Sequence, residues 1–126
     1  MKTSELLMDY LKKQGLCPER DNDNDIIFKY QMRTFIYFNN DDDDDLFFRL
    51  SMPGIYDVTD DNRLAVLEAI NEVNKMVKVV KLLIPRDDVW VNTEILLDTT
   101  PVMDDFVPRL LNILMGAQKE FYEQIG

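Results

Sequence analysis

From Ile26 to Met32 an apolar residue falls at every second position, and this period constrains the fold more than any other feature, because it sends alternate side chains to opposite faces of an extended strand. Ile26, Phe28, Tyr30 and Met32 share one face, and Ile27, Lys29 and Gln31 share the other. A tight turn near Met32-Arg33 returns the chain through Thr34-Phe35-Ile36-Tyr37-Phe38, a β-branched and aromatic run suited to a pleated surface. Asn39-Asn40 and the aspartates Asp41 to Asp45 make a solvated loop, after which Leu46 to Met52 resumes the sheet and Pro53-Gly54 stops it. A three-stranded antiparallel meander is the expectation, and its apolar face needs a cover.

Helical spacing elsewhere in the chain supplies that cover. Leu6, Leu7, Tyr10 and Leu11 form one short stripe, with Thr3 or Ser4 as N-cap, Lys12 and Lys13 near the end and Gly15 as terminator. Asp60 or Asp61 caps a second helix carrying Val66, Leu67, Ile70, Val73 and Val77. The β-branched run Val77 to Ile84, a turn at Pro85 to Asp88, and Val89 to Leu97 predict a second hairpin. A last helix begins at Asp104 or Asp105, with Pro108 in its first turn and Phe106, Leu110, Ile113, Leu114, Ala117 and Phe121 as its buried stripe. The order is α-β-β-β-α-β-β-α. It predicts an α+β fold in one domain, residues 1–126, with a five-stranded antiparallel sheet covered by helices on one side. The uncovered face of the sheet, or the central helix, is then where a second copy or a client would dock.

Charge and residue usage narrow the function classes. With a net charge of −10, a nucleic-acid or anionic-membrane partner is not expected, since neutralising phosphates is what gives such binding its affinity. The acidity is local: without Asp21, Asp23, Asp25 and Asp41 to Asp45, acids and bases nearly balance. No apolar run approaches the roughly 20 residues of a membrane helix, and Glu5 and Asp9 interrupt any export signal. A single cysteine, Cys17, fits a reducing compartment, and the cytoplasm is the expected location. Histidine is absent, which removes the commonest general base and metal ligand, so no enzyme, cofactor or metal is expected.

Asp21-Asn22-Asp23-Asn24-Asp25 has the alternating oxygens that open a calcium-binding loop, but Ile26 stands where glycine is needed and Met32 where a bidentate glutamate belongs, so a polar turn is the better reading. Asp41 to Asp45 read as a solvated loop that blocks edge pairing, with a basic client or loosely held cations as the functional alternative. Asn71 and Asn74 lie one turn apart near the helix-to-strand junction, where their amides can satisfy loose backbone groups or contact a ligand. If Val89, Val91, Thr93, Ile95 and Leu97 face the helices, then Trp90, Asn92, Glu94 and Leu96 face outward, and Trp90, Asn92 and Leu96 become interaction candidates. Carboxylate-based or metal-dependent catalysis and a calcium response are the rival functions.

The succession Ala69-Ile70-Asn71-Glu72-Val73-Asn74, a short step into Val77-Lys78-Val79-Val80-Lys81, a hairpin with an acidic turn and a closing amphipathic helix resembles the YbjN-type family. Asn71 and Asn74 look like that family's Asn-x-x-Asn feature at the end of the central helix. The resemblance spans nearly the whole chain. It implies the fold of type III secretion chaperones and a non-catalytic protein-interaction role, chaperone-like or regulatory, with a homodimer and a protein partner.

Overall fold

In a computed structural model that describes residues 1–126, the chain forms α1 (Thr3–Lys13), β1 (Glu19–Arg20), β2 (Ile26–Tyr30), β3 (Arg33–Tyr37), β4 (Phe47–Asp57), α2 (Arg63–Met76), β5 (Lys81–Leu83), β6 (Asp88–Leu96) and α3 (Met103–Ile125). The sheet is antiparallel throughout, in the order β1-β2-β3-β4-β6-β5. It has six strands where the sequence predicts five. The added strand, β1, is two polar residues without alternation, and it exists because Glu19 and Arg20 pair with Ile27 and Ile26 across a turn.

The alternation in β2, β3, β4 and β6 sorts the sheet into two faces. Ile26, Phe28, Phe35, Tyr37, Phe48, Leu50, Met52, Val89 and Val91 are buried on the inner one and join a 25-residue core with α1, α2 and α3. Aromatic edges lock the layers: Phe48 meets Phe106 of α3 at 5.0 Å between centroids, and Tyr56 meets Phe121 at 5.4 Å. Tyr122 adds a bond from its hydroxyl to the Ile55 carbonyl at 2.7 Å.

Several local expectations need correction. The β2–β3 hairpin turns at Gln31-Met32, both at positive φ, so Met32 leaves the strand face and is fully exposed. Pro53-Gly54 does not stop β4 but falls at a register shift between Met52 and Tyr56, where the bulge relieves proline of its ladder bond and Gly54 takes φ +61°. Val77 to Val80 stay out of β5; Val79 sits at φ +56° and its carbonyl accepts the Thr93 hydroxyl at 2.6 Å.

The helix starts also move. Lys2 is the N-cap of α1, and Thr3 and Ser4 are buried inside it. Asn62 replaces Asp60 or Asp61 before α2, exchanging bonds with Thr59: its side chain accepts the Thr59 N–H at 2.8 Å and its own N–H reaches the Thr59 hydroxyl at 3.3 Å. Leu67, assigned to the buried stripe of α2, is 48% exposed, because Val66, Ala69, Ile70 and Val73 are the residues turned to the core. Val102 precedes α3, so Asp104 and Asp105 lie inside its first turn, complementing the positive end of the helix, and Pro108 falls beyond that turn on the exposed side.

Candidate functional site

With the helices packed on the inner face, the outer face of the sheet carries Ile27, Ile36, Phe38, Phe47, Arg49, Ser51, Leu83, Trp90, Asn92, Glu94 and Leu96, which alternate with core residues in the observed register. The aromatic and aliphatic members are half-buried by one another, except Leu96, which is 79% exposed. This is the outward placement that the alternation of β6 allowed for Trp90 and Leu96; Asn92 lies on the same side of the strand but is fully buried, its amide taken up by Ser51 and the Lys81 carbonyl.

Three side chains form a stack across the middle of that face. The Phe38 and Trp90 rings lie 6.2 Å apart and near-parallel, meeting over β4, which separates their strands. The Arg49 guanidinium carbon sits 4.4 Å from the centre of the Phe38 ring, a cation on the electron-rich ring face. Trp90 is oriented by its indole N–H, which donates to Asp88 Oδ1 at 3.0 Å. Beside the stack, Ser51 and Asn92 are fully buried: the Ser51 hydroxyl donates to Asn92 Oδ1, and Asn92 Nδ2 donates to the Lys81 carbonyl at 3.1 Å. An open depression of about 530 Å³, lined by Asp57, Pro85, Arg86, Asp87 and Asp88, continues the face past Trp90. Sequence reasoning singled out Trp90 and Asn92 but missed Phe38, Arg49 and Ser51; the available signal was Arg49, the one charge in the apolar run Leu46 to Met52.

The acidic loop divides into two kinds of residue. Asp45 Oδ1 accepts the Thr3 N–H at 3.0 Å and its carbonyl accepts the Thr3 hydroxyl at 2.8 Å, while Asp41 accepts the Ser4 hydroxyl at 2.5 Å. Asp45 thus supplies to α1 the cap that its own Lys2 lacks, and Asp41 ties the Ser4 side chain to the same loop. Asp44 accepts the Leu46 N–H at 3.2 Å within the loop, and the side chains of Asp42 and Asp43 are exposed and make no bond. Near this junction the Tyr37 hydroxyl and Asp41 Oδ1 are buried without a hydrogen-bond partner, and burial pushes the Tyr37 phenol up, with Asp41 and Asp45 adding to the effect.

Asn74 and Asn71 part company. The Asn74 amide accepts the Leu82 N–H at 2.8 Å and donates to the Leu82 carbonyl at 3.2 Å, standing in for a neighbouring strand along the free edge of β5. Asn71 is exposed and makes no hydrogen bond. Asp21, Asp23 and Asp25 converge within 4.8 Å, but Asp21 Oδ1 is taken up by the N–H groups of Asp23 and Asp25, both at 2.9 Å, and Asp25 Oδ1 by that of Asn39 at 2.8 Å. Burial holds the Asp25 carboxyl above its ordinary range, an effect the Asn39 N–H opposes. Cys17 is free and exposed. No helix is long and apolar enough to cross a membrane.

The family described as T3SS (YopN, CesT) and YbjN peptide-binding chaperone 1 matches residues 2–125. Among solved structures, the fold is shared with YbjN from E. coli at TM-score 0.69 and 13% identity, over 95% of this chain and 89% of that one. An uncharacterized protein from Methanothermobacter thermautotrophicus matches at TM-score 0.67 and 13% identity, over 98% and 96% of the two chains. No curated protein sequence matches the chain.

Proposed function

This chain belongs to the T3SS and YbjN peptide-binding chaperone family, and we propose that it is a one-domain, non-catalytic module that binds an extended segment of a partner protein on the open face of its sheet. The observation that carries the reading is the stack of Trp90, Phe38 and Arg49 on a sheet whose three helices all pack on the other side. Such a face suits a segment whose alternate side chains lie down on it. Binding acts by burying apolar surface, and the ring faces supply area at little cost in side-chain freedom.

The distribution of acids supports a role without catalysis. Asp57, Asp87 and Asp88 line the depression beside Trp90 without gathering, and the sole converging trio, Asp21, Asp23 and Asp25, is engaged in its own turn. The free thiol of Cys17 supports a reducing location such as the cytoplasm. A second surface supports a homodimer: Leu64 and Leu67 on α2 are 71% and 48% exposed and lie one turn apart. Light scattering checks this directly, and a strict monomer at high concentration would remove it.

Trp90 is the sole tryptophan and lies at the centre of the proposed site. Titration with an amidated peptide of alternating valine and threonine is expected to shift its emission to shorter wavelength as water leaves the ring. A peptide that binds by calorimetry yet leaves Trp90 emission unchanged would place the site elsewhere.

A further inference from the structure

We propose that Arg49 anchors a carboxylate side chain in the middle of the bound segment, so that the chain selects apolar peptides carrying an internal aspartate or glutamate. The inference rests on the sheet-face reading above and specifies its ligand. In register, Arg49 stands directly opposite Glu94, the acid that would ordinarily pair with it. Glu94 is instead held by Lys81, whose ammonium lies 2.5 Å from its carboxylate. Arg49 therefore has no carboxylate within ion-pair distance in a chain with 24 acids, and its one side-chain hydrogen bond is a long one of 3.4 Å to Asn92 Oδ1, an atom already taken by Ser51. Its Nε–H is buried with no acceptor. Phe38 holds the guanidinium plane in place from one side.

The terminal nitrogens are the donors a ligand can reach, Nη1 making no hydrogen bond and Nη2 only the long one to Asn92; such a planar fork fits a carboxylate in two-point contact, and charge-assisted bonds of this kind are about twice as strong as neutral ones. The overall charge of −10 does not oppose this at contact, because exposed charges beyond roughly 8 Å are largely screened at physiological salt. Arg49 lies on β4, with Ile36 and Phe38 to one side and Trp90 and Leu96 to the other, so a segment must run past it in both directions. That favours an internal acidic side chain over a chain terminus.

The test uses three fluorescein-labelled, amidated peptides of about ten alternating valine and threonine residues with a central Glu, Gln or Lys, followed by anisotropy on the full chain. The Glu peptide is expected to bind about tenfold more tightly than the Gln peptide, the gain of one charge-assisted contact, with Lys weakest. Arg49→Met is expected to abolish the Glu preference while holding the Gln peptide, and Arg49→Lys, which keeps the charge and guards against misfolding, to retain part of it. Equal binding of Glu and Gln peptides that both shift Trp90 emission overturns the anchor and leaves the sheet face standing. Failure of all three to bind overturns the face, and the anchor with it.

Discussion

Asn74→Ala is the substitution whose cost the structure defines best. It deletes the two bonds by which the side-chain amide satisfies the Leu82 N–H and carbonyl, at 2.8 and 3.2 Å. Each such bond contributes about 0.5–1.5 kcal/mol, and since water can reach an edge whose covering residue is itself exposed, the full desolvation penalty does not apply, giving about 1–3 kcal/mol in total. At about 2.1 cal/mol/K per residue, a chain of 126 residues unfolds with an entropy near 0.26 kcal/mol/K, so Tm should fall by roughly 4–11 °C. Calorimetry on Asn74→Ala, with Asn71→Ala beside it, measures this. Asn71 makes no bond, and its replacement should stay within about 0.5 kcal/mol of wild type. Hydrogen exchange adds a local readout, because the Leu82 amide should lose protection in Asn74→Ala before its neighbours do. Equal effects of the two substitutions, or an unchanged Leu82 amide, would refute the account of Asn74 as a surrogate strand.

Asp45→Ala removes the cap that α1 takes from the acidic loop and should cost about 0.5–2 kcal/mol in urea unfolding, whereas Asp42→Ala and Asp43→Ala should be near neutral. Tyr37→Phe deletes a buried hydroxyl that has no partner and is expected to leave stability unchanged or raise it by up to about 1 kcal/mol, measured the same way. Because burial raises the Asp25 carboxyl above its ordinary 3.8, folding binds its proton more tightly than the unfolded chain does. That contribution is present below the ordinary value and is lost as pH rises through the raised one. Relative to Asp25→Asn, wild type should therefore lose stability over that interval in acid-range denaturant titrations.

Much of the candidate site was legible because it follows from parity. Once Val89 and Val91 are turned to the helices, Trp90, Asn92 and Leu96 have to face away, whatever the details of packing. Arg49 was harder to read: its place on the outer face also follows from alternation, but its lack of a partner depends on Lys81 reaching Glu94 from a different strand. The two asparagines look alike in sequence, and the difference between them is which one points at the β5 edge.

By itself the sequence determined the periods, and through them the succession of helices and strands and the sorting of each strand into a core side and an open side, since those depend on neighbours a few residues away. Tertiary structure alone decided the sixth strand, the passage of β4 through Pro53-Gly54 as a bulge, and the division of the aspartate run into capping and free residues. Each of these is settled by a partner distant along the chain or by a change in pairing register: Asp45 meets Thr3 across 42 positions, and no local pattern encodes a hydrogen bond formed at that separation.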